Sequence, residues 1–556
     1  MRKFIITLSL IIVAALQIQA QGNFAIHLDK PFYATGEEIW YKLYLPTNLT
    51  KSVAIKTIII NADGQTKERF FLRSEPGKSY VDGQFKIPFS YTSGMHRIEF
   101  RASAGASDPD VVLAQMEFPI YNDFEIKSLA AKKSDNSSAG NQKASTLNGL
   151  NIDIALDKNS FSKREQVNAT ITVKDAAGNP VQANYSVVAR DVELIEEALP
   201  NAPNYALGQS FNQTQLNQFS EKIFVKGQVM DSLGQAMQAN VLGAYASLQK
   251  RIHYGKTDGA GIFTFGLPDF YEDQTLQFIG YPKESEEIKV KLFKENTYED
   301  RPKQALLIND KILKYLELSQ QKKKMAEYFE HMSENIEKDD IENTFEGLKA
   351  DFSYIADDYV KFEDIGSFFS ELITPLKFRI VNKVYSARME NPRSRDASYN
   401  NLPGKPIFII DGKVTRDANF IARTSWSNVR TVDIFYVAEK LRKQFNILGQ
   451  GGVVRITTDI PQYTLPPNDL EDVFEVNGLQ APASFVPYLP SKSSAEVRLP
   501  NFRMPNYWLA NAQTSNNGQA DVSFYQGDEK STFVIEVIAQ SADGKLGRAT
   551  KTYTVQ

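Results

Sequence analysis

Cysteine is absent from the 556 residues. That excludes disulfides, thiolate nucleophiles, cysteine-ligated zinc or iron–sulfur sites and any internal thioester. Histidine is nearly as scarce: His27, His96, His253 and His331 lie far apart, so no local histidine-rich metal motif exists. Positive charge is not in excess either, with 63 Lys+Arg against 67 Asp+Glu. A nucleic-acid partner needs a concentrated basic footprint, and none is expected here. Past the first twenty residues, no run approaches the ~18 apolar side chains of a membrane-spanning helix. The HExxH, Walker and GxSxG patterns are missing too, so no metal, cofactor or nucleophile is assigned.

What is present begins with a secretory signal. Arg2 and Lys3 precede an apolar stretch from Phe4 to Ala15, and the small residue Ala20 closes it. Cleavage after Ala20 is expected, giving an exported chain with no transmembrane segment.

The remainder reads as mainly β and multidomain. Residues 23–121 alternate in short runs: Ile39, Tyr41, Leu43 and Leu45 share a strand face, and Asn61 to Gly64 form a turn. Residues 132–146 read as a linker. Alternation resumes over 148–197, whereas the Asn- and Gln-rich stretch 201–219 reads as a long loop. Residues 223–292 read as β again, with glycine turns at Gly234, Gly259 and Gly261. A helical segment is expected over 302–375. Asp310 is taken as its cap, Ile312, Tyr315, Leu316, Met325, Phe329 and Met332 as its apolar stripe at helical spacing, and Lys322, Lys323 and Lys324 as a solvated face. Residues 378–459 read as a small α/β unit, and 475–556 return to β.

Three stretches resemble known families. Residues 28–40, Leu-Asp-Lys-Pro-Phe-Tyr-Ala-Thr-Gly-Glu-Glu-Ile-Trp, resemble the opening of an alpha-2-macroglobulin-type, Ig-like β-sandwich. Residues 156–161 look like a second copy, with Asn159 and Lys163 where that pattern has proline and glycine. Asn506-Tyr507-Trp508, together with residues 517–524, resembles a third. The stretch 223–292 is similar to the carboxypeptidase-regulatory-like sandwich through Gly227, Val229, Asp231, Thr257, Asp258, Gly261 and Phe263. The run 405–412 with Pro406, Asp411 and Gly412, then 429–436, then Gly451-Gly452 and 453–458, resembles the plug domain of TonB-dependent receptors. Those receptors continue into about 22 barrel strands; only about 97 residues follow Asp459 here, and they read as a sandwich. The combination is similar to exported proteins of the Bacteroidetes group.

Chemistry-bearing alternatives are weaker. Ser247 and Lys250 fit an SxxK spacing without its companion motifs. Asp357, Asp358, Glu363 and Asp364 suit a solvated acidic face better than a glycosidase pair, and Asp231 and Asp258 suit turn capping better than calcium. Tyr488, Tyr507 and Trp508 lie near prolines, where aromatics can anchor a partner. The expectation is a non-enzymatic periplasmic scaffold, held at the outer membrane by a β-barrel protein or envelope complex. Transport, secretion or assembly is the implied setting, with occlusion of the barrel pore one form of the contact. A carbohydrate- or peptide-binding module and an envelope hydrolase are the rival readings.

Overall fold

The computed structural model describes residues 22–46, 49–105, 108–132, 147–231, 233–238, 242–249, 251–280, 289–293, 298–301, 304–328, 336–338, 349–359, 362–372, 375–391, 401–459, 473–489 and 505–556. The signal-like start, most of the linker, Phe329, His331 and Met332 lie outside them, as do Lys250 and the Pro-rich crossing 461–467. The chain forms two compact units. One comprises Met1–Glu221, Asn296–Asp340 and Gln480–Gln556; the other comprises Lys222–Glu295 and Ile341–Leu479.

The first unit holds two sandwiches. Its opening strands are β1 (Gly22–Leu28), β2 (Tyr33–Ala34), β3 (Glu38–Tyr44), β4 (Val53–Ile60), β5 (Thr66–Ser74), β6 (Tyr80–Lys86), β7 (Gly94–Ala102) and β8 (Val111–Tyr121). Next come β9 (Asn151–Leu156), β10 (Ser160–Phe161), β11 (Gln166–Lys174), β12 (Ala183–Asp191) and β13 (Tyr205–Phe211). Sheets β13-β1-β3-β6 and β2-β8-β7-β4-β5 enclose Ile26, Tyr41, Ile98, Phe100 and Phe118. The expected 201–219 loop is therefore corrected. Tyr205 and Phe211 are buried at the ends of an edge strand that leaves Gln209 and Ser210 exposed, and Asn212 caps the short helix Gln213–Leu216 through a capping box.

The second sandwich joins distant sequence. Strands β9 to β12 combine with segments near the other end of the chain, Tyr507–Gln513, Gln519–Tyr525, Thr532–Ser541 and Leu546–Val555. β12 pairs with Thr532–Ser541 from Ala183↔Ser541 to Asp191↔Phe533, and β11 pairs with Gln519–Tyr525. The two later macroglobulin-like stretches are thus halves of one sandwich. Neither half could bury its inward-facing set, Val167, Ile171, Val187, Phe524, Ile535 and Val537, without the other.

One turn recurs between consecutive strands. It starts at Asn61, Asp175, Asp231, Asp258, Ser515 and Ser541. Each first residue accepts an amide hydrogen bond from the glycine three places on (Gly64, Gly178, Gly234, Gly261, Gly518, Gly544). Those glycines have φ between 73° and 89°, the left-handed conformation that this bulged turn needs. In the first four, the side-chain oxygen also accepts amides two and four residues on; for Asp258 these are Ala260 and Ile262, both at 2.9 Å. Asp231 and Asp258 therefore cap backbone.

In the first unit, helix α1 (Asp310–Tyr328) buries Ile312, Tyr315 and Leu316 against Phe32, Tyr121 and Ile195. Its start is capped by Asn309, whose Oδ1 accepts the Ile312 amide at 2.9 Å, and not by Asp310 as expected.

The second unit holds another sandwich and an α/β body. The sandwich sheets are Ile262–Leu267, Ile223–Met230 and Lys289–Leu292 in that order, and Arg251–Gly255, Leu242–Ala246, Gln274–Gly280 and Val473–Val476. The α/β sheet runs Phe352–Ile355, Val429–Phe435, Val453–Thr458, Ile407–Ile410, Lys413–Thr415. Its first strand corrects the helical reading of that region. There, Phe352–Ile355 pairs with Val429–Phe435, and only α2 (Ile365–Glu371) is a helix of more than one turn among the described residues of 341–375. One sheet face packs on Phe368, Phe369, Ile421 and Trp426; the other packs on Leu441, Phe445, Leu448 and the neighbouring sandwich's Tyr245 and Ile252. This two-sided burial explains the unbroken apolar run Ile407–Ile410.

Candidate functional site

The densest chemistry lies in the first unit, and sequence assigns it to the Asp-Lys-Pro motif. Asp29 Oδ1 accepts the Tyr33 hydroxyl at 2.7 Å and the Trp40 amide at 2.9 Å. Lys30 Nζ donates to Glu37 Oε2 at 2.7 Å and to the Tyr315 hydroxyl at 3.2 Å. Glu37 also accepts the Ala34 amide (3.1 Å), the Tyr315 hydroxyl (2.9 Å) and the Ser319 hydroxyl (2.9 Å). Gly36, at φ +81°, makes the turn that brings Glu37 back over Lys30. The motif is a buried knot that fastens α1 to the first sandwich.

Charge in this knot follows desolvation and pairing. Burial pushes the Asp29 carboxyl up to about 6, although Lys30 and Tyr33 pull the other way. Burial would also raise Glu37, but Lys30 and Lys323 outweigh it and hold that carboxylate below its usual range. Lys323 Nζ donates to Asp123 Oδ2 at 2.6 Å and to the Thr35 carbonyl, and Lys322 lies 3.6 Å from Glu529. The expected solvated lysine face is corrected for both. Their acidic partners come from elements remote in sequence, so nothing near 322–324 announces them.

A second cluster has the composition of a hydrolase triad. His27 Nδ1 lies 2.7 Å from Ser186 Oγ, and His27 Nε2 lies 3.9 Å from Glu536 Oε2. The network assigns the protons. Tyr44 donates its hydroxyl to the Ile538 carbonyl at 2.7 Å, so Ser186 must donate across its 2.6 Å contact with Tyr44. His27 Nδ1–H then donates to Ser186, the reverse of a general base. Glu536 is occupied by Arg190 at 2.6 Å, by Arg548, and by Asn204 at 2.9 Å. Burial drops the His27 imidazole to about 3, and His27, Ser186 and Glu536 are all fully buried. A serine that cannot meet substrate or lose its proton to this histidine is a packing group.

Lys42 completes the buried set. Its Nζ donates to the Tyr185 carbonyl at 3.1 Å and lies 4.3 and 4.4 Å from the Tyr44 and Tyr80 ring centres. Burial holds its amine well below the usual range. Strand β3 is thus buried on both faces, because Trp40, Lys42 and Tyr44 meet the second sandwich.

The α/β site residues take structural positions. Pro406 leads into the buried strand Ile407–Ile410. Asp411 (φ 46°) and Gly412 (φ 79°) form the two-residue hairpin turn, and Asp411 accepts the Thr458 amide at 2.9 Å and its hydroxyl at 2.6 Å. A Cβ on Gly451 would overlap the Lys405 carbonyl; one on Gly452 (φ +91°) would lie 2.7 Å from Met389 Cγ.

The aromatics proposed as partner anchors are mostly interior. Tyr507 stacks on Phe524 at 4.8 Å inside the second sandwich. Trp508 points the opposite way, onto Trp40 and Val188, and is 3% exposed. Tyr488 is half-buried beneath the Arg164 guanidinium, 6.0 Å from its ring centre. The partner reading is corrected for Tyr507 and Trp508; adjacent aromatics in a strand sandwiched on both faces were the signal. Asp357, Asp358 and Glu363 are exposed, while Asp364 caps α2 through the Ser367 amide at 2.7 Å. Ser247 accepts the Thr275 amide at 3.1 Å. Among the described residues, no group of three or more Asp, Glu or His could hold a metal, and no helix is long and apolar enough to cross a membrane.

Fold and chemistry together define a multidomain, mainly β protein of packed sandwiches with an α/β body, whose buried polar clusters are structural ties. Solved structures similar to the chain include trypsin-activated alpha-2-macroglobulin from Escherichia coli (9% identity, 96% of this chain and 42% of that one, TM-score 0.23). Others are Salmonella alpha-2-macroglobulin reacted with methylamine (10%, 96% and 39%, TM-score 0.22) and the Escherichia coli adhesin FdeC (10%, 46% and 59%, TM-score 0.13). The chain spans about two fifths of the alpha-2-macroglobulin structures it matches, and at these TM-scores the likeness carries no argument about function. No protein-family profile and no curated protein matches the chain.

Proposed function

We propose that this chain is a non-enzymatic scaffold of the periplasm that docks by protein contacts to an outer-membrane β-barrel protein or envelope complex. The observation that carries this reading is where the side chains go. The groups able to do chemistry, Lys30, Glu37, His27, Ser186 and Glu536, face inward and are consumed by packing. Large apolar groups face outward: Phe124 is 72% exposed and Phe89 51%, in an edge-to-face pair at 6.1 Å with Lys323 5.7 Å from the Phe89 ring. An exposed aromatic pair beside a cation suits a protein partner. The plug-like and regulatory-like resemblances of the second unit support an envelope setting.

Affinity purification from native envelopes tests the proposal, with wild type compared against a Phe89→Ser/Phe124→Ser variant. A stoichiometric barrel-protein partner, held by the wild type and lost from the variant, is the expected result. Retention by both would remove this face from the contact. Turnover of a peptide or glycan by the purified chain would overturn the non-enzymatic reading.

A further inference from the structure

A two-stranded ribbon, Leu376–Val381 paired with Val384–Met389, stands apart from the five-stranded sheet of the α/β body. Its base is anchored: Leu376 and Met389 are buried, and Phe378 stacks on Phe408 at 6.2 Å. Its tip is rigid. Asn382 (φ 52°) and Lys383 (φ 66°) make the two-residue turn, Arg423 donates to the Lys383 carbonyl at 2.9 Å, and Asn419 accepts the Tyr385 amide at 3.2 Å.

The strand ends just behind that Asn382-Lys383 apex are apolar and open to solvent. Ile380, Val381 and Val384 are 58%, 51% and 56% exposed. Val381 and Val384 are cross-strand partners, so both project from one side of the ribbon, the side that also carries Lys377, Arg379 and Arg388. The ribbon from Leu376 to Met389 has four cations (Lys377, Arg379, Lys383, Arg388) and no carboxylate; the flanking Glu390 pairs with Arg388 at 3.0 Å. At about 3.3 Å per residue, Arg379 stands roughly 7 Å and Lys377 and Arg388 roughly 13 Å behind the valines, while Lys383 sits at the turn ahead of them. The Arg379 spacing is comparable to the interfacial layer of about 5–8 Å that lies outside the hydrocarbon core on each side of a bilayer.

We propose that this hairpin is a lipid-surface anchor, its tip entering the headgroup boundary of a phospholipid layer while its cations bind the anionic phosphates. Exposed apolar strand ends with charge of one sign both at the turn and behind them suit a layer that can part around them; a protein groove would need the matching concavity and acids. The proposal is independent of the protein-docking reading, since it uses a different unit and different residues.

Co-sedimentation of the purified full chain tests it. The probes are vesicles of phosphatidylglycerol mixed with phosphatidylethanolamine, and vesicles of phosphatidylcholine alone. Binding to the anionic vesicles, weakened by salt, with little binding to phosphatidylcholine is the expected result. Val381→Ser/Val384→Ser should weaken anionic binding about tenfold by removing the inserted groups. Lys377→Gln/Arg379→Gln should weaken it by a similar factor and flatten its salt dependence. Unchanged circular dichroism checks the fold of each variant. A Val381→Trp chain should shift its emission to the blue on anionic vesicles. Wild-type chain that ignores both vesicles, or double variants that bind like wild type, would overturn the proposal. The first outcome would leave a protein partner as the ribbon's contact.

Discussion

Glu37→Ala is the sharpest test of the knot that fastens α1. The substitution strands the fully buried Lys30 ammonium without its 2.7 Å partner, and takes an acceptor from Tyr315, Ser319 and the Ala34 amide. Breaking one side of a buried ion pair costs about 3–5 kcal/mol, mostly because the remaining charge stays desolvated. Removing both charges should cost far less, so Lys30→Met/Glu37→Met should recover on the order of 2 kcal/mol relative to the sum of the single changes. The assay is urea unfolding by tryptophan emission. Trp40 and Trp508 report on the first unit, so the series is built on Trp426→Phe to silence the second. A Glu37→Ala chain within about 0.5 kcal/mol of wild type would refute the reasoning, as would strictly additive single changes.

The burial of His27 and His96 makes acid destabilising. Their imidazoles sit at about 3 and about 4 through burial, so between pH 6.5 and those values the unfolded chain binds protons that the folded one refuses. Stability should therefore fall as pH drops from 7 to 5; Asp29, raised to about 6, opposes this over its own window, and His27→Gln should flatten the slope by about one proton in calorimetric melting. Gly451→Ala should destabilise the second unit by more than Gly412→Ala. The former collides with the Lys405 carbonyl, whereas the latter meets open space and carries only the left-handed cost of about 1–2 kcal/mol; Trp426 emission in urea ranks them. Trp508→Ala should cost about 3–5 kcal/mol in the first unit's unfolding, where a surface anchor would cost under about 0.5.

Local structure was legible wherever its cause was local. The turns after Asn61, Asp175, Asp231 and Asp258 announce themselves because the capping side chain and the left-handed glycine are three residues apart. The strands Ile407–Ile410 and Val429–Phe435 do so through apolar runs and alternation. What escaped was set at long range. Tyr205–Phe211 is an edge strand held by Ala25, Ile26 and His27 and carries Gly208, Gln209 and Ser210 on its way to Phe211, so with its Asn- and Gln-rich surroundings it reads as loop. Lys322 and Lys323 look solvated until Glu529 and Asp123 arrive from elsewhere in the chain. Ser186 and His27 lie 159 residues apart, and no spacing rule could have joined them or shown that their proton runs the wrong way for catalysis. The Asp-Lys-Pro motif was visible as a resemblance; its partner Tyr315 was not.

The sandwich shared between β9–β12 and the segments from Tyr507 to Val555 sets an order of events during synthesis. When β11 and β12 emerge, the strands that complete their sheets have not been made, and the entire second unit must pass first. For that interval Val167, Ile171, Val187 and Ala189 line open, adhesive strand edges. The second unit is free to close on its own core while the first waits half-built. A premature stop near residue 500 would therefore wreck a sandwich that begins near residue 150 and spare the body translated between them. The half-sandwich stays uncovered for the time it takes to read about 300 further codons, roughly 15–60 seconds at ordinary elongation rates.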